Sequence, residues 1–210
     1  MRSDTMVKAS SPITSAAASA ALAELLAGNQ RSAFDARIHP LGDAIRRRAV
    51  AGGQKPFAVV LGCSDSRVPV ELVFDRGLGD LFVVRTAGHG AGPEALASVE
   101  FGAGTLGAPL VVVLGHTSCG AVGAARDVLA GAFDPPPALR PVLDLVLPNV
   151  RAATERGITD PLEIVSSHVV ATAEAVRAGS PAVSEPGRAV VGMVYSLTTG
   201  LVTLVDGETL

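Results

Sequence analysis

Residues 56–67 read Pro56-Phe57-Ala58-Val59-Val60-Leu61-Gly62-Cys63-Ser64-Asp65-Ser66-Arg67. The run Phe57–Leu61 is bounded by Pro56 and Gly62 and shows no polar alternation, which predicts a short strand buried on both faces. Two more such runs follow, Leu81-Phe82-Val83-Val84 and Leu110-Val111-Val112-Val113-Leu114. Between them a helix is expected from about Pro93 to Thr105, with proline at its first position. Apolar strands separated by helices predict an α/β fold, a central and mostly parallel sheet flanked by helices.

Working outward, Met1 to about Thr14 reads as a disordered lead. Ser15–Ala27 reads as an N-terminal helix stopped by Gly28-Asn29, and a second helix runs from about Leu41 to Val50. After the third strand a helix begins near Cys119 and is broken by Pro135-Pro136-Pro137. Helical segments are expected over Leu139–Arg156 and over Pro161–Ala178, the latter capped by Asp160. Ala189–Leu197 and Leu201–Val205 flank Thr198-Thr199-Gly200, which predicts an antiparallel C-terminal hairpin at the sheet edge.

A chain of 210 residues fits one domain. It is 48% hydrophobic but only 3% aromatic, with no Trp, so Ala, Val and Leu must fill the interior. The net charge of −3 excludes the basic footprint of a nucleic-acid binder. Arg46-Arg47-Arg48 reads as a solvated helix face. No apolar stretch reaches the ~20 residues of a membrane helix, and the Ala/Ser-rich start is a poor signal peptide. The expected setting is cytoplasmic, where two distant cysteines indicate metal or catalytic work rather than a disulfide.

The residues that carry chemistry gather at strand ends. The first strand runs into Cys63-Ser64-Asp65-Ser66-Arg67 and the third into His116-Thr117-Ser118-Cys119. In an open parallel sheet, ligands bind outside the carboxyl ends of the strands. His116 and Cys119 are one turn apart, and Cys63 adds a third ligand from the neighbouring strand. Three Cys/His ligands leave a fourth tetrahedral position open, as in a catalytic zinc site. Cys63, Asp65 and Arg67 alternate, so in an extended segment they share a side, with Asp65 paired to Arg67 beside the metal. Asp65 has a second option, closing the site as a fourth ligand.

These residues resemble the β-carbonic anhydrases. The family's C-x-D-x-R motif is matched by Cys63-Ser64-Asp65-Ser66-Arg67 and its H-x-x-C-G motif by His116-Thr117-Ser118-Cys119-Gly120. Gln54-Lys55-Pro56, Gly79–Arg85, Ser98-Val99-Glu100-Phe101, Gly192–Tyr195 and Thr199-Gly200 extend the likeness over about Leu25 to Val205, with a divergent middle from about Asp127 to Val165. The resemblance implies a single domain over 15–210 and a zinc-dependent lyase, interconverting carbon dioxide with bicarbonate and a proton. Cys63, His116 and Cys119 would bind Zn2+, zinc-bound hydroxide would attack the substrate, and Asp65 with Arg67 would form the catalytic dyad. Gln54 would orient substrate from a neighbouring subunit and Phe82 would line an apolar pocket. Phe101 and Gly120 join them as substrate-side residues. Phe101 departs from the Tyr of many members, which removes a hydroxyl near the pocket. The family also implies a homodimer or a dimer-based oligomer, with no nucleic-acid or membrane partner.

Other readings carry less. Gly88-His89-Gly90-Ala91-Gly92 lacks the third glycine of a dinucleotide loop, which would fall at Pro93. A Cys119 nucleophile with His116 as base leaves Cys63, Asp65 and Arg67 without a role. A hydrolase of carbonyl sulfide or carbon disulfide on the same scaffold, or a non-catalytic zinc protein closed by Asp65, stays open. His89 is a candidate proton shuttle. His39 has no assigned role, and His168 reads as structural.

Overall fold

The computed structural model describes residue 13, residues 15–38 and residues 43–205. The lead before Ser15 (Ile13 apart), His39 and the expected helix start at Leu41 lie outside the described residues. Five strands form one sheet in the order β2-β1-β3-β4-β5. They are β1 (Ala58–Cys63), β2 (Leu81–Thr86), β3 (Leu110–His116), β4 (Ala189–Tyr195) and β5 (Val202–Val205). The first four run parallel, and β5 turns back antiparallel on β4 at the edge. This is the expected architecture.

Every residue of β1 and β3 is buried, because helices cover both faces. On one face Val59, Leu61, Val111 and Val113 join a cluster with α4 (Pro93–Glu100), α5 (Gly120–Leu129), α6 (Arg140–Glu155) and α7 (Pro161–Gly179). On the other, Ala58, Val60, Leu110 and Val112 meet α1 (Ala16–Ala33) and α3 (Val70–Val73). With each Val or Leu contributing about 1.5–3 kcal/mol when fully buried, these two layers hold the sheet without large aromatics. Among the described residues, no helix is long and apolar enough to cross a membrane.

Two expectations need correcting. Gly28-Asn29 does not stop α1, which continues to Ala33. A Cβ at Gly28 would stand 1.9 Å from the Phe74 carbonyl oxygen, so the glycine marks a close helix–loop approach. Asn29 is buried and ties three backbone groups: its Nδ2 donates to the carbonyls of Val73 and Gly200, and its Oδ1 accepts from the N–H of Val202. The expected Pro93–Thr105 helix is α only to Glu100 and continues as a π-helical turn over Phe101–Thr105. The short α3, and α2 confined to Ala44–Ala49 among the described residues, complete the helices.

Candidate metal centre

β1 and β3 are adjacent and parallel, so their carboxyl ends deliver Cys63 and His116 to the same place. Directly after β3, Ser118 takes a left-handed conformation (φ 56°) and the chain turns into α5, with Cys119 as its N-cap. The ligand atoms of Cys63, His116 and Cys119 thereby lie within 4.8 Å of one another, and all three residues are buried.

The His116 ring is prepared for a cation. Its Nδ1 lies 3.0 Å from the Thr117 carbonyl oxygen, which can only accept, so Nδ1 carries the proton. The lone pair is left on Nε2, which is buried and has no hydrogen-bond partner. An orphaned nitrogen facing two sulfurs is costly unless something binds it. Cys2His is a donor set suited to zinc with one position left over. Both thiol environments fit a cation between them. The Cys119 thiol hydrogen-bonds to the Cys63 sulfur and lowers its pKa against the opposing effect of burial, with the N–H groups of Asp65 and Gly88 adding to the lowering. Cys119 is pushed the other way, chiefly by that same bond and by burial. A divalent cation removes this conflict by letting both sulfurs ionise.

Asp65 and Arg67 do not meet as alternating residues of an extended segment. β1 ends at Cys63, and the chain then turns, with the Val68 N–H donating to the Asp65 carbonyl and the Arg67 N–H to Asp65 Oδ1. This aspartate-nucleated turn folds the guanidinium back onto the carboxylate. Arg67 Nε donates to Oδ1 at 2.9 Å and Nη2 to Oδ2 at 2.6 Å. That fork holds the Asp65 carboxyl far below the usual carboxylate range.

A carbonic anhydrase family model matches residues 58–202, which take in β1–β4 and every residue of this centre. The chain belongs to the β-carbonic anhydrase family. It is 41% identical to carbonic anhydrase 2 of Mycobacterium tuberculosis over 191 residues, covering 89% of this chain and 92% of that one. It is 39% identical to the carbonic anhydrase of Mycolicibacterium smegmatis, over 84% of this chain and 88% of the relative. Among solved structures, the β-carbonic anhydrase of Aspergillus fumigatus superposes with a TM-score of 0.65 at 26% identity, covering 89% of each chain. That of Coccomyxa, in complex with acetazolamide, gives 0.63 at 27% identity, over 87% of this chain and 85% of the other.

Two residues of this carbonic anhydrase escaped the sequence reading. Arg85, near the end of β2, donates from Nε to the Cys63 carbonyl and from Nη2 to the Asp65 carbonyl, clamping the loop that carries both side chains. Its signal was a charge at the end of an otherwise apolar strand. Gly88 donates its N–H to the Cys63 sulfur at 3.4 Å, and no motif pointed to it. His89 is not placed to shuttle protons: it is fully buried, and burial holds its pKa well below the ordinary histidine value.

The substrate-side residues divide. Gly120 opens α5 beside Cys119. Gln54 is exposed on the loop before β1, at the opposite end of that strand from Cys63. Phe82 pairs in register with Val59, four residues before Cys63 and therefore about 13 Å along the strand. Its ring centroid lies 6.0 Å from that of Phe101, which is 47% exposed. Within one chain these three stand apart from the metal centre.

Proposed function

We propose that this carbonic anhydrase holds Zn2+ on Cys63, His116 and Cys119 and interconverts carbon dioxide with bicarbonate and a proton. The observation that carries the metal assignment is the buried, unpartnered Nε2 of His116 in a cluster whose three ligand atoms lie within 4.8 Å of one another. A zinc ion there would supply the Lewis acidity that lowers the pKa of water by several units and makes it a nucleophile; carbonic anhydrase is itself the standard illustration, in its three-histidine form.

The chain's own residues do the rest. Asp65 Oδ2 lies 3.8 Å from His116 Nε2, beside the ligand set. With a metal in place, Asp65 would accept a hydrogen bond from the nucleophilic water and orient it towards the substrate carbon. Arg67 keeps the carboxylate in that role: its fork occupies both oxygens, and Nη2 is steadied by the Ser118 carbonyl at 3.2 Å. The pair thus competes with ligation of the metal by Asp65. The open state is the working one.

Gln54, Phe82 and Phe101 serve the site of a second copy, in a homodimer or a dimer-based oligomer. Their distance from the metal centre in their own chain, together with the exposed Phe101, supports that arrangement. The proposed setting is the cytoplasm. Elemental analysis tests the metal reading: one zinc per chain is expected in the parent and almost none in Cys119→Ala. A parent that retains no zinc after exposure to it contradicts the assignment.

A further inference from the structure

We propose that Asn149 and His168 are positioning residues for the metal centre, holding Gly88 so that its N–H stays on the Cys63 sulfur. The inference rests on the metal reading above and extends it to residues outside the ligand set.

The chain of contacts has a fixed polarity. The Gly88 carbonyl oxygen lies 2.9 Å from His168 Nε2 and can only accept, so Nε2 carries the proton. Nδ1 of His168 is then an acceptor, and Asn149 Nδ2 donates to it at 2.9 Å. Beyond Gly88, the N–H of the same residue reaches the Cys63 sulfur at 3.4 Å. The relay therefore runs from α6 through α7 to the loop after β2 and ends on a metal ligand. His168 is fully buried, and burial keeps its ring in the neutral form that this polarity requires.

The loop needs such an anchor. Gly88 sits at φ 67° and His89 at φ 45°, two left-handed residues in succession. A glycine reaches this region freely and leaves it as freely, whereas a histidine there is held only by its surroundings. Gly88 is also enclosed: a Cβ would stand 2.8 Å from the Ala121 Cβ and 3.0 Å from Val146 Cγ2. The His89 ring packs on His168 with centroids 4.5 Å apart and makes no hydrogen bond of its own. His168 is thus the group that fixes the Gly88 carbonyl, and through the Gly88 Cα it restrains the adjoining peptide whose N–H meets the Cys63 sulfur.

An N–H donated to a thiolate draws charge from the sulfur, stabilises it against protonation and moderates its donation to the metal. Releasing Gly88 leaves Cys63 a more basic and more easily oxidised ligand.

The test uses the full chain as His168→Leu, Asn149→Leu and His168→Gln. The readouts are zinc affinity, by competition with a chromophoric chelator, and the sulfur-to-cobalt charge-transfer band after Co2+ substitution. Both Leu variants are expected to bind zinc about tenfold more weakly and to shift the band to lower energy. His168→Gln can donate to Gly88 and accept from Asn149, and keeps both properties near the parent's. Leu variants that lose only thermal stability, with affinity and band unchanged, overturn the proposal. If His168→Leu does not fold, the half-buried Asn149→Leu decides alone. A parent that binds neither metal removes the metal reading itself, whereas a metal-binding parent with unaltered variants removes only this relay.

Discussion

Arg67 grips both oxygens of Asp65, at 2.9 and 2.6 Å, while the second of those oxygens lies only 3.8 Å from His116 Nε2. One carboxylate thus stands between a guanidinium and the candidate metal position. Removing the competitor should deliver it to the metal. Arg67→Ala is expected to bind zinc more tightly than the parent while hydrating carbon dioxide roughly 100-fold more slowly. Asp65→Ala/Arg67→Ala should return the affinity to the parent level without restoring activity. Chelator competition and stopped-flow assays check both; an unchanged affinity in Arg67→Ala would show that Asp65 does not compete for the metal.

The buried histidines give the metal-free protein an acid sensitivity. Burial lowers the pKa of His89 and of His168. Below the unfolded value of about 6.5, the unfolded chain therefore binds more protons than the native one, and stability falls with pH. In the presence of chelator, the unfolding free energy from urea titrations should drop as pH falls below 6.5, the slope approaching at most about 1.4 kcal/mol per pH unit for each ring that stays neutral in the native state. His89→Asn keeps a residue that tolerates positive φ and should reduce that slope by about half. A slope identical to the parent's would contradict the burial account of His89.

The turn of α1 against the Phe74 loop gives a stability test remote from the metal. Gly28→Ala pushes a Cβ to 1.9 Å from a backbone oxygen and should cost about 3 kcal/mol, lowering Tm by about 6–12 °C. Asn29→Ala strands three backbone partners and should cost about 2 kcal/mol. Calorimetry of Gly28→Ala showing no loss would mean that α1 does not pack as described.

If Gln54 serves a second copy, two inactive variants should rescue each other. In a symmetric dimer of Gln54→Ala with Asp65→Ala, one of the two sites recovers both residues. Mixing and reassembling equal amounts should return about a quarter of the parent's sites. Carbon dioxide hydration measured before and after mixing checks this, and no recovery would place Gln54 outside the partner's site.

The sheet and the Cys63–His116–Cys119 cluster were legible because their signals are local. Short unbroken Val/Leu runs bounded by turn residues read as doubly covered strands, and Cys63 and His116 stand at the ends of two of them. Elsewhere a tertiary contact overrode the local signal. Gly28-Asn29 carries the letters of a helix stop, yet its smallness and its amide serve contacts with residues 73–74 and 200–202. The Asp65–Arg67 pair was foreseen, but its turn was not, since spacing alone does not distinguish alternation from an aspartate-nucleated bend. The bonds of the Asn149–His168–Gly88 relay join residues 19 and 80 positions apart with no motif, so only the packed fold brings it to view.

The central claim is carbon dioxide hydration at a metal held by Cys63, His116 and Cys119. The most direct measurement is the rate of acidification when zinc-loaded protein is mixed with dissolved carbon dioxide at mildly alkaline pH, beside Cys63→Ala. The predicted result is rapid acidification by the parent that disappears in the variant. No acceleration by a parent shown to carry zinc, or equal acceleration by Cys63→Ala, would contradict the account.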